Sequence, residues 1–136
     1  MNWYLKVLKQ YADFSGRARR KEYWMFTLIH ICIFALLIFL MFYASNNFEN
    51  EPNSLLFIII GFYFLATLIP LVAVTVRRLH DMGQSGWWYL ISFVPYIGSF
   101  VILIFTCMDS VKKPNKWGEN PKGTGNDNAI NQIGIE

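Results

Sequence analysis

The sequence predicts an all-α membrane protein. Three long runs without a formal charge occupy residues 23–44, 55–76 and 87–108. Each run is long enough to cross the hydrocarbon core of a bilayer as a helix, which takes about 20 residues. Hydrophobic residues make up 54% of the chain, and aromatic residues collect near the ends of the runs, as they do at membrane–water interfaces.

A short amphipathic helix is predicted before the first run. Five apolar residues recur there at intervals of three and four: Tyr4, Val7, Leu8, Tyr11 and Phe14. Such spacing is typical of a helix with one apolar face, which lies on the membrane surface or packs against the rest of the protein. Ser15 suits the N-cap of a following helix that continues through the basic residues 17–21 into the bilayer.

The positions of Lys and Arg predict the orientation in the membrane. Six of these 12 residues precede the first run, none lies in residues 45–54, two follow the second run and four follow the third. Basic residues favour the cytoplasmic side of short loops. The N-terminus and the connector after the second run are therefore predicted to be cytoplasmic, with the acidic loop 45–54 outside.

The third run conflicts with this rule, because three complete crossings would place the last four lysines outside. Pro95 and Gly98 lie in its middle, and proline removes a backbone donor and kinks or breaks a helix. Two alternatives stay open: a kinked helix that crosses the membrane, or a re-entrant segment that returns the tail to the cytoplasm. In the second run, Pro70 predicts a kinked but continuous helix, with the Thr67 hydroxyl bonding a freed carbonyl.

The chain divides into a membrane domain, residues 1–122, and a C-terminal tail, residues 123–136. The tail is rich in Gly and Asn and is predicted to be flexible. A net charge of +3 is a weak indication of a nucleic-acid partner, and cations that flank membrane segments favour anionic lipid headgroups instead. The sequence contains no metal-binding or cofactor motif, so neither is predicted.

A site is predicted in the connector between the second and third runs, residues 77–88. Its polar residues have structural roles available. On the last turns of a helix, Asp81 would lie three and four residues after two arginines, within reach of an ion pair. Gly83 suits a left-handed C-terminal cap, and Ser85 suits an N-cap for the third segment.

The functional interpretation joins this connector to the basic residues before the first run, since both are predicted at the same interface. Together they would form a basic surface that binds anionic lipid or an acidic protein partner. Its candidate residues are Arg17, Arg19, Arg20, Arg77, Arg78, His80 and Asp81. The pair His80 and Asp81 has no accompanying nucleophile at recognisable spacing, so a non-enzymatic protein is predicted.

His30 is a second candidate, because an ionisable residue inside a membrane span often has a function. The apolar runs contain no Asp, Glu, Lys, Arg or second His, which favours a neutral imidazole that is hydrogen-bonded to another helix. The alternative function is a small oligomeric channel or transporter that uses the breaks at Pro70 and Pro95, with His30 near the path. Three spans are too few for a pore, so this alternative requires a homo-oligomer.

Several blocks of the sequence occur together: Gly-Arg-x-Arg-Arg-x-x-Tyr-Trp at 16–24, Arg-Arg-Leu-His-Asp at 77–81, Ser-Gly-Trp-Trp at 85–88, Pro-Tyr-Ile-Gly at 95–98 and Asn-Lys-Trp-Gly-Glu-Asn-Pro at 115–121. In this combination the chain resembles the bacterial inner-membrane family catalogued as domain of unknown function 805 (DUF805). The resemblance covers about residues 1–122, with one departure at Trp117, where the family often has Tyr or Phe. It implies a small, multi-pass, helical protein of the cytoplasmic membrane, and no activity, because the family is uncharacterised.

Overall fold

The computed structural model describes residues 2–47 and 54–123. Within them the elements are α1 (Asn2–Lys9), α2 (Arg20–Asn47), α3 (Ser54–Asp81), a 3₁₀ helix (Gly86–Phe93) and α4 (Ile97–Cys107). The described residues form no strand beyond one isolated bridge, which confirms the prediction of an all-helical protein. The predicted tail lies outside the described residues from position 124 onward, as does most of the acidic loop.

Helices α2 and α3 are both long and apolar enough to cross a membrane. Helix α4 has only 11 residues, so it is about 16 Å long, roughly half the thickness of the hydrocarbon core. Large apolar side chains are exposed on all three, including Phe39 at 63%, Leu65 at 68% and Phe100 at 64%. Apolar surface of this extent is what helices present to lipid.

The third apolar run forms a broken segment and not one helix. Between the 3₁₀ helix and α4 the chain turns at Pro95 and Tyr96, and Tyr96 has φ 65°, which non-glycine residues rarely adopt. Just after the turn, a Cβ atom on Gly98 would lie 1.8 Å from the carbonyl oxygen of Ile91. Glycine at this position therefore allows the two arms of the segment to meet.

The turn sends α4 back toward the end of α3 from which the 3₁₀ helix starts. The carbonyl of Thr106 accepts a hydrogen bond from Arg78 Nε at 3.3 Å, and the carbonyl of Met108 accepts one from Arg20 Nε at 2.5 Å. Both ends of the third run therefore lie at the same end of the long helices. This is the chain path of the re-entrant alternative, and not that of a kinked helix that crosses the membrane.

Helix α1 packs on its own protein. Val7 is fully buried in a core that contains Ala18, Phe26 and Val74, and the ring of Tyr4 stacks on Phe26 with centroids 5.3 Å apart. These contacts agree with the second alternative for this helix, in which it packs against the rest of the protein. A position at the membrane surface stays a prediction.

Helix α3 continues through Pro70, as predicted. Proline has no N–H to bond the carbonyl of Ala66, four residues before it, and that carbonyl accepts a hydrogen bond from the Tyr11 hydroxyl at 2.6 Å. The prediction that Thr67 would satisfy a freed carbonyl was wrong, because its hydroxyl donates to Tyr63 at 2.8 Å, over its own preceding turn. The partner comes instead from the segment after α1.

The capping predictions had different outcomes. Gly83, at φ 77°, ends α3 with its N–H bonded to the carbonyl of His80 at 3.0 Å, which confirms the left-handed cap. Ser85 occupies the predicted N-cap position of the 3₁₀ helix, but its side chain makes no capping hydrogen bond among the described residues. Ser15 does not cap α2 either, because its N–H donates to Asp13 Oδ1 at 2.9 Å and closes a separate turn before α2.

Candidate functional site

The predicted site residues meet at one end of α2 and α3, mostly in the interior. Five of them are at most 9% exposed: Arg17, Arg77, Arg78, His80 and Asp81. Arg19 and Arg20 are partly exposed. The residues therefore form a buried cluster and not the continuous basic surface that was predicted. Binding of a lipid or a protein partner stays a prediction.

Asp81 lies at the centre of this cluster and is fully buried. Its Oδ1 accepts a hydrogen bond from Arg17 Nε at 3.0 Å, and its Oδ2 accepts from Arg78 Nη1 and from the Ser110 hydroxyl. Arg78 precedes Asp81 by one turn of α3, whereas Arg17 comes from the extended stretch before α2. One carboxylate thus joins two guanidinium groups from distant parts of the chain.

Backbone carbonyls of the C-terminal segment bind the other nitrogens of these two arginines. Arg17 Nη2 donates to Val111 at 2.6 Å, and Arg17 Nη1 donates to Lys113 at 3.0 Å. Arg78 Nη2 donates to Met108. The last carbonyls of a helix lack partners within it and carry partial negative charge, so the end of α4 suits a guanidinium. These bonds offset the excess positive charge around Asp81.

The end of α3 accepts backbone hydrogen bonds from two segments outside the helices. The N–H of Ala18 donates to the carbonyl of Arg77 at 3.1 Å, and the N–H of Val111 donates to the carbonyl of Asp81 at 3.1 Å. The Asp81 carbonyl is the last of α3 and has no donor within the helix, whereas the Arg77 carbonyl lies one turn earlier. The segments before α2 and after α4 therefore each add a backbone hydrogen bond at this end of α3.

Glu22 forms a second buried centre, which the sequence analysis did not identify. It is fully buried, with Lys6 Nζ 2.7 Å from Oε2 and Arg77 Nη1 3.4 Å from Oε1. Arg77 Nη1 also donates to Gln10 Oε1, whereas Arg77 Nε and Nη2 are buried and have no hydrogen-bond partner among the described residues. The available signal was the position of Glu22 as a lone acid directly after the basic residues 17–21.

His80 packs separately from the two acids. Its ring stacks on Trp117 with centroids 4.4 Å apart, and its Nδ1 lies 3.3 Å from the carbonyl oxygen of Gly16. Lys116 Nζ lies 4.2 Å from the centroid of the Trp117 ring. The Trp117 ring therefore contacts an imidazole and a cation at the edge of the buried cluster.

Asp13 and Asp109 lie at the periphery of this end of the molecule. Hydrogen bonds from the Ser15 hydroxyl and N–H hold the pKa of Asp13 below its ordinary value. The ammonium group of Lys122 and the N–H of Ser110 do the same for the pKa of Asp109. Both acids are therefore charged at neutral pH.

His30 lies away from this cluster, between α2 and α3. Its Nδ1 is 3.0 Å from the hydroxyl of Tyr63 on α3, so the predicted hydrogen bond to another helix is present. The ring also stacks between Phe26 and Phe34 of its own helix. These contacts do not favour the channel alternative, which stays a prediction. Among residues 2–47 and 54–123, no group of three or more His, Cys, Asp or Glu could hold a metal ion.

The family model and the most similar known proteins indicate the same family. A model described as "Protein of unknown function (DUF805)" matches residues 11–119. Inner membrane protein YhaI of Escherichia coli (strain K12) is 46% identical over 122 residues, which cover 90% of this chain and 97% of that protein. Inner membrane protein YhaH of the same strain is 42% identical over 122 residues, covering 90% and 98%.

A more distant relative, uncharacterized protein YiiR of the same strain, is 34% identical over 94 residues, covering 67% of this chain and 58% of that protein. No solved structure matches the chain. The two inner membrane relatives and the two membrane-length helices support a location in the bacterial inner membrane. The match over residues 11–119 and these relatives show that the chain belongs to the DUF805 family, as its motifs indicated.

Proposed function

We propose that this chain is a non-enzymatic inner-membrane protein whose cytoplasmic end binds anionic lipid headgroups through exposed lysines. The observation that supports this proposal is that all 12 Lys and Arg residues lie at one end of the long helices. The contacts of Lys6 with Glu22, of Arg17 with Lys113 and of Lys122 with Asp109 bring the N-terminal and C-terminal cations to that end.

The proposed topology has two crossings and one re-entrant segment. Helices α2 and α3 cross the bilayer, and the 3₁₀ helix with α4 enters from the cytoplasmic side and returns to it. The length of α4 supports this placement, because about 16 Å reaches roughly the middle of the hydrocarbon core. The N-terminus and all the lysines are then cytoplasmic, and the charges follow the positive-inside rule without exception.

The proposed lipid contacts belong to the lysines and not to the buried arginines. Arg17, Arg77 and Arg78 bind internal acids and carbonyls. All seven lysines are exposed, and Lys6 and Lys122 bind Glu22 and Asp109. Five exposed lysines make no ion pair among the described residues: Lys9, Lys21, Lys112, Lys113 and Lys116. A cation near an anionic leaflet contributes about 1 kcal/mol of attraction, so these residues together favour anionic over zwitterionic lipid.

Reporter fusions test the topology. A green fluorescent protein fused after residue 136 is expected to fluoresce in cells, because it folds in the cytoplasm. Alkaline phosphatase at the same position is expected to be inactive. Active phosphatase with a dark fluorescent fusion would place the C-terminus outside and contradict the re-entrant arrangement.

Extraction in native-bilayer particles, followed by mass spectrometry of the retained lipid, tests the binding. The variant Lys112→Gln/Lys113→Gln is expected to retain a lower ratio of anionic to zwitterionic lipid than the wild type. Lys122→Gln is the control, because Asp109 already binds that lysine, and it is expected to change the ratio less per charge removed. An unchanged ratio in the double variant would contradict the proposal.

A further inference from the structure

A cavity of about 570 Å³ lies beside the buried cluster, where the end of α3 meets the 3₁₀ helix. Its walls combine aromatic rings with two polar side chains and include Phe14, His80, Ser85, Trp87, Leu90 and Trp117. Trp87 is 79% exposed and Leu90 is 52% exposed, so the cavity opens along the apolar surface of the 3₁₀ helix. The volume is within the range of small-molecule sites.

His80 supplies a buried polar group to this cavity. It is 8% exposed, and the approach of Nδ1 to the Gly16 carbonyl at 3.3 Å assigns the proton to Nδ1. Nε2 is then an acceptor, and among the described residues it has no hydrogen-bond partner. A Cβ on Gly86 would lie 3.3 Å from Nε2 and 2.7 Å from Val76 Cγ1, so the missing side chain at Gly86 leaves Nε2 uncovered.

A cation stands at the rim of the cavity. Trp117 forms part of the wall and stacks on His80, while Lys116 Nζ lies 4.2 Å from the centroid of the same ring. Lys116 is exposed. A ligand in the cavity would therefore meet an acceptor inside, a positive charge at the rim and apolar side chains toward the membrane.

We propose that this cavity binds one anionic phospholipid whose headgroup has a free hydroxyl, such as phosphatidylglycerol. The hydroxyl donates to His80 Nε2, the phosphate lies near Lys116, and the first carbons of an acyl chain lie along Trp87 and Leu90. A headgroup with an ammonium is disfavoured, because it would lie near the like charge of Lys116. This inference rests on the proposed function, since it requires the cytoplasmic end to face anionic lipid.

Two substitutions of His80 separate the roles of its ring nitrogens. Asparagine places an amide near the position of Nδ1 and can keep the bond to Gly16, but it leaves the position of Nε2 empty. Glutamine reaches the position of Nε2 and can accept the lipid hydroxyl. Both substitutions remove the stack on Trp117, so they are matched in that respect.

The measurement is native mass spectrometry of the full chain, delipidated in detergent and titrated with dioleoyl phosphatidylglycerol or dioleoyl phosphatidylcholine. His80→Asn is expected to lower the affinity for phosphatidylglycerol about fivefold, the loss of one hydrogen bond, and His80→Gln is expected to lower it less. Neither changes the weak retention of phosphatidylcholine. Equal phosphatidylglycerol affinity in the wild type and His80→Asn would overturn the proposal.

Further variants keep the result interpretable if His80→Asn fails to fold. Trp87→Ala removes an exposed wall of the cavity and is expected to keep the thermal unfolding temperature while it lowers phosphatidylglycerol affinity. Unchanged affinity would overturn the proposal. Displacement of the lipid by an equal concentration of glycerol 1-phosphate would also overturn it, because the ligand would then be a soluble phosphate ester.

The two proposals fail separately. If Lys112→Gln/Lys113→Gln lowers the anionic lipid around the protein while His80→Asn and Trp87→Ala leave phosphatidylglycerol affinity unchanged, the cavity proposal is wrong and the proposed function stands. If the lysine variant changes nothing and His80→Asn still loses phosphatidylglycerol, the general lysine contacts are wrong and the cavity binds the lipid.

Discussion

Arg77 and Arg78 are adjacent in the sequence, yet they connect α3 to opposite parts of the chain. Arg78 bonds Asp81 and the carbonyls of Thr106 and Met108, so it holds the returning end of α4. Arg77 bonds Gln10 and Glu22, so it holds the segment after α1 and the start of α2. Successive residues of a helix point about 100° apart, which sends the two side chains to different partners.

The two sides also differ in how completely the guanidinium is satisfied. Each nitrogen of Arg78 has a hydrogen-bond partner, whereas within residues 2–47 and 54–123 the buried Arg77 Nε and Nη2 have none. A buried unsatisfied donor costs about 1–3 kcal/mol, so the same residue type stabilises the fold less at position 77. The C-terminal side of the cluster is therefore attached more strongly to α3 than the N-terminal side.

The largest effect is expected for Asp81→Asn. This change leaves Arg17 and Arg78 buried without their shared counter-ion, which typically costs about 3–5 kcal/mol. Unfolding in detergent micelles measures the loss, and Asp109→Asn, at a largely exposed carboxylate, is the matched control with a much smaller loss expected. Equal stability of both variants would mean that the ion pairs of Asp81 with Arg17 and Arg78 do not stabilise the fold.

Arg78→Gln compared with Arg77→Gln measures the difference between the two sides directly. Arg78→Gln is expected to lower the free energy of unfolding by about 2–4 kcal/mol, because it leaves acceptors of α4 unpaired. Arg77→Gln is expected to cost about 1 kcal/mol less, since two of its donors are already unsatisfied. A larger loss for Arg77→Gln than for Arg78→Gln would contradict the stronger attachment of the C-terminal side.

Tyr11→Phe tests an uncharged contact between the N-terminal segment and α3. Its hydroxyl serves the Ala66 carbonyl that Pro70 leaves free, so its loss is expected to cost about 1–2 kcal/mol. In a Pro70→Ala background the new N–H can bond that carbonyl, and the same substitution should cost close to nothing. A cost that is independent of Pro70 would contradict this account of the helix.

The smallest effect concerns acid pH. The depressed pKa values of Asp13 and Asp109 mean that each charged group stabilises the fold above its unfolded pKa of about 4. The contribution disappears as the pH falls through the lower, folded-state pKa. The unfolding temperatures of the wild type and Asp13→Asn should therefore converge below about pH 4, and a difference that grows toward acid would contradict the sign.

The sequence predicts the apolar helices because their length and composition are local properties. The break at Pro95 and the cap at Gly83 were also predictable, since each depends on local backbone geometry. Whether the chain reverses at the break stayed open, because the reversal depends on the contacts of α4 with Arg78. The partners of Arg17 were not, because most of them are backbone carbonyls of residues 111–118, which any sequence provides. A basic block near a membrane therefore indicates an interface without showing which segments cover it.

The contacts of Glu22 and Tyr11 could not be predicted from the sequence either. The partners of Glu22 are Lys6 and Arg77, which come from α1 and from the far end of α3. The partner of Tyr11 is a carbonyl 55 positions away. No periodicity relates such residues, so only the packing of α1 on the long helices brings them together.

The return of α4 to the end of α3 also sets the order of events during synthesis. The ribosome adds Arg17 before α2 and α3, and it adds the partner carbonyls of residues 111–118 only after both helices. Before these residues are added, Asp81 is available to Arg17 and Arg78, but the backbone carbonyls that accept their remaining hydrogen bonds are not. A chain that stops before residue 111 is therefore expected to lack these carbonyls, which leaves the guanidinium groups of Arg17 and Arg78 with fewer hydrogen-bond partners at this end of α3.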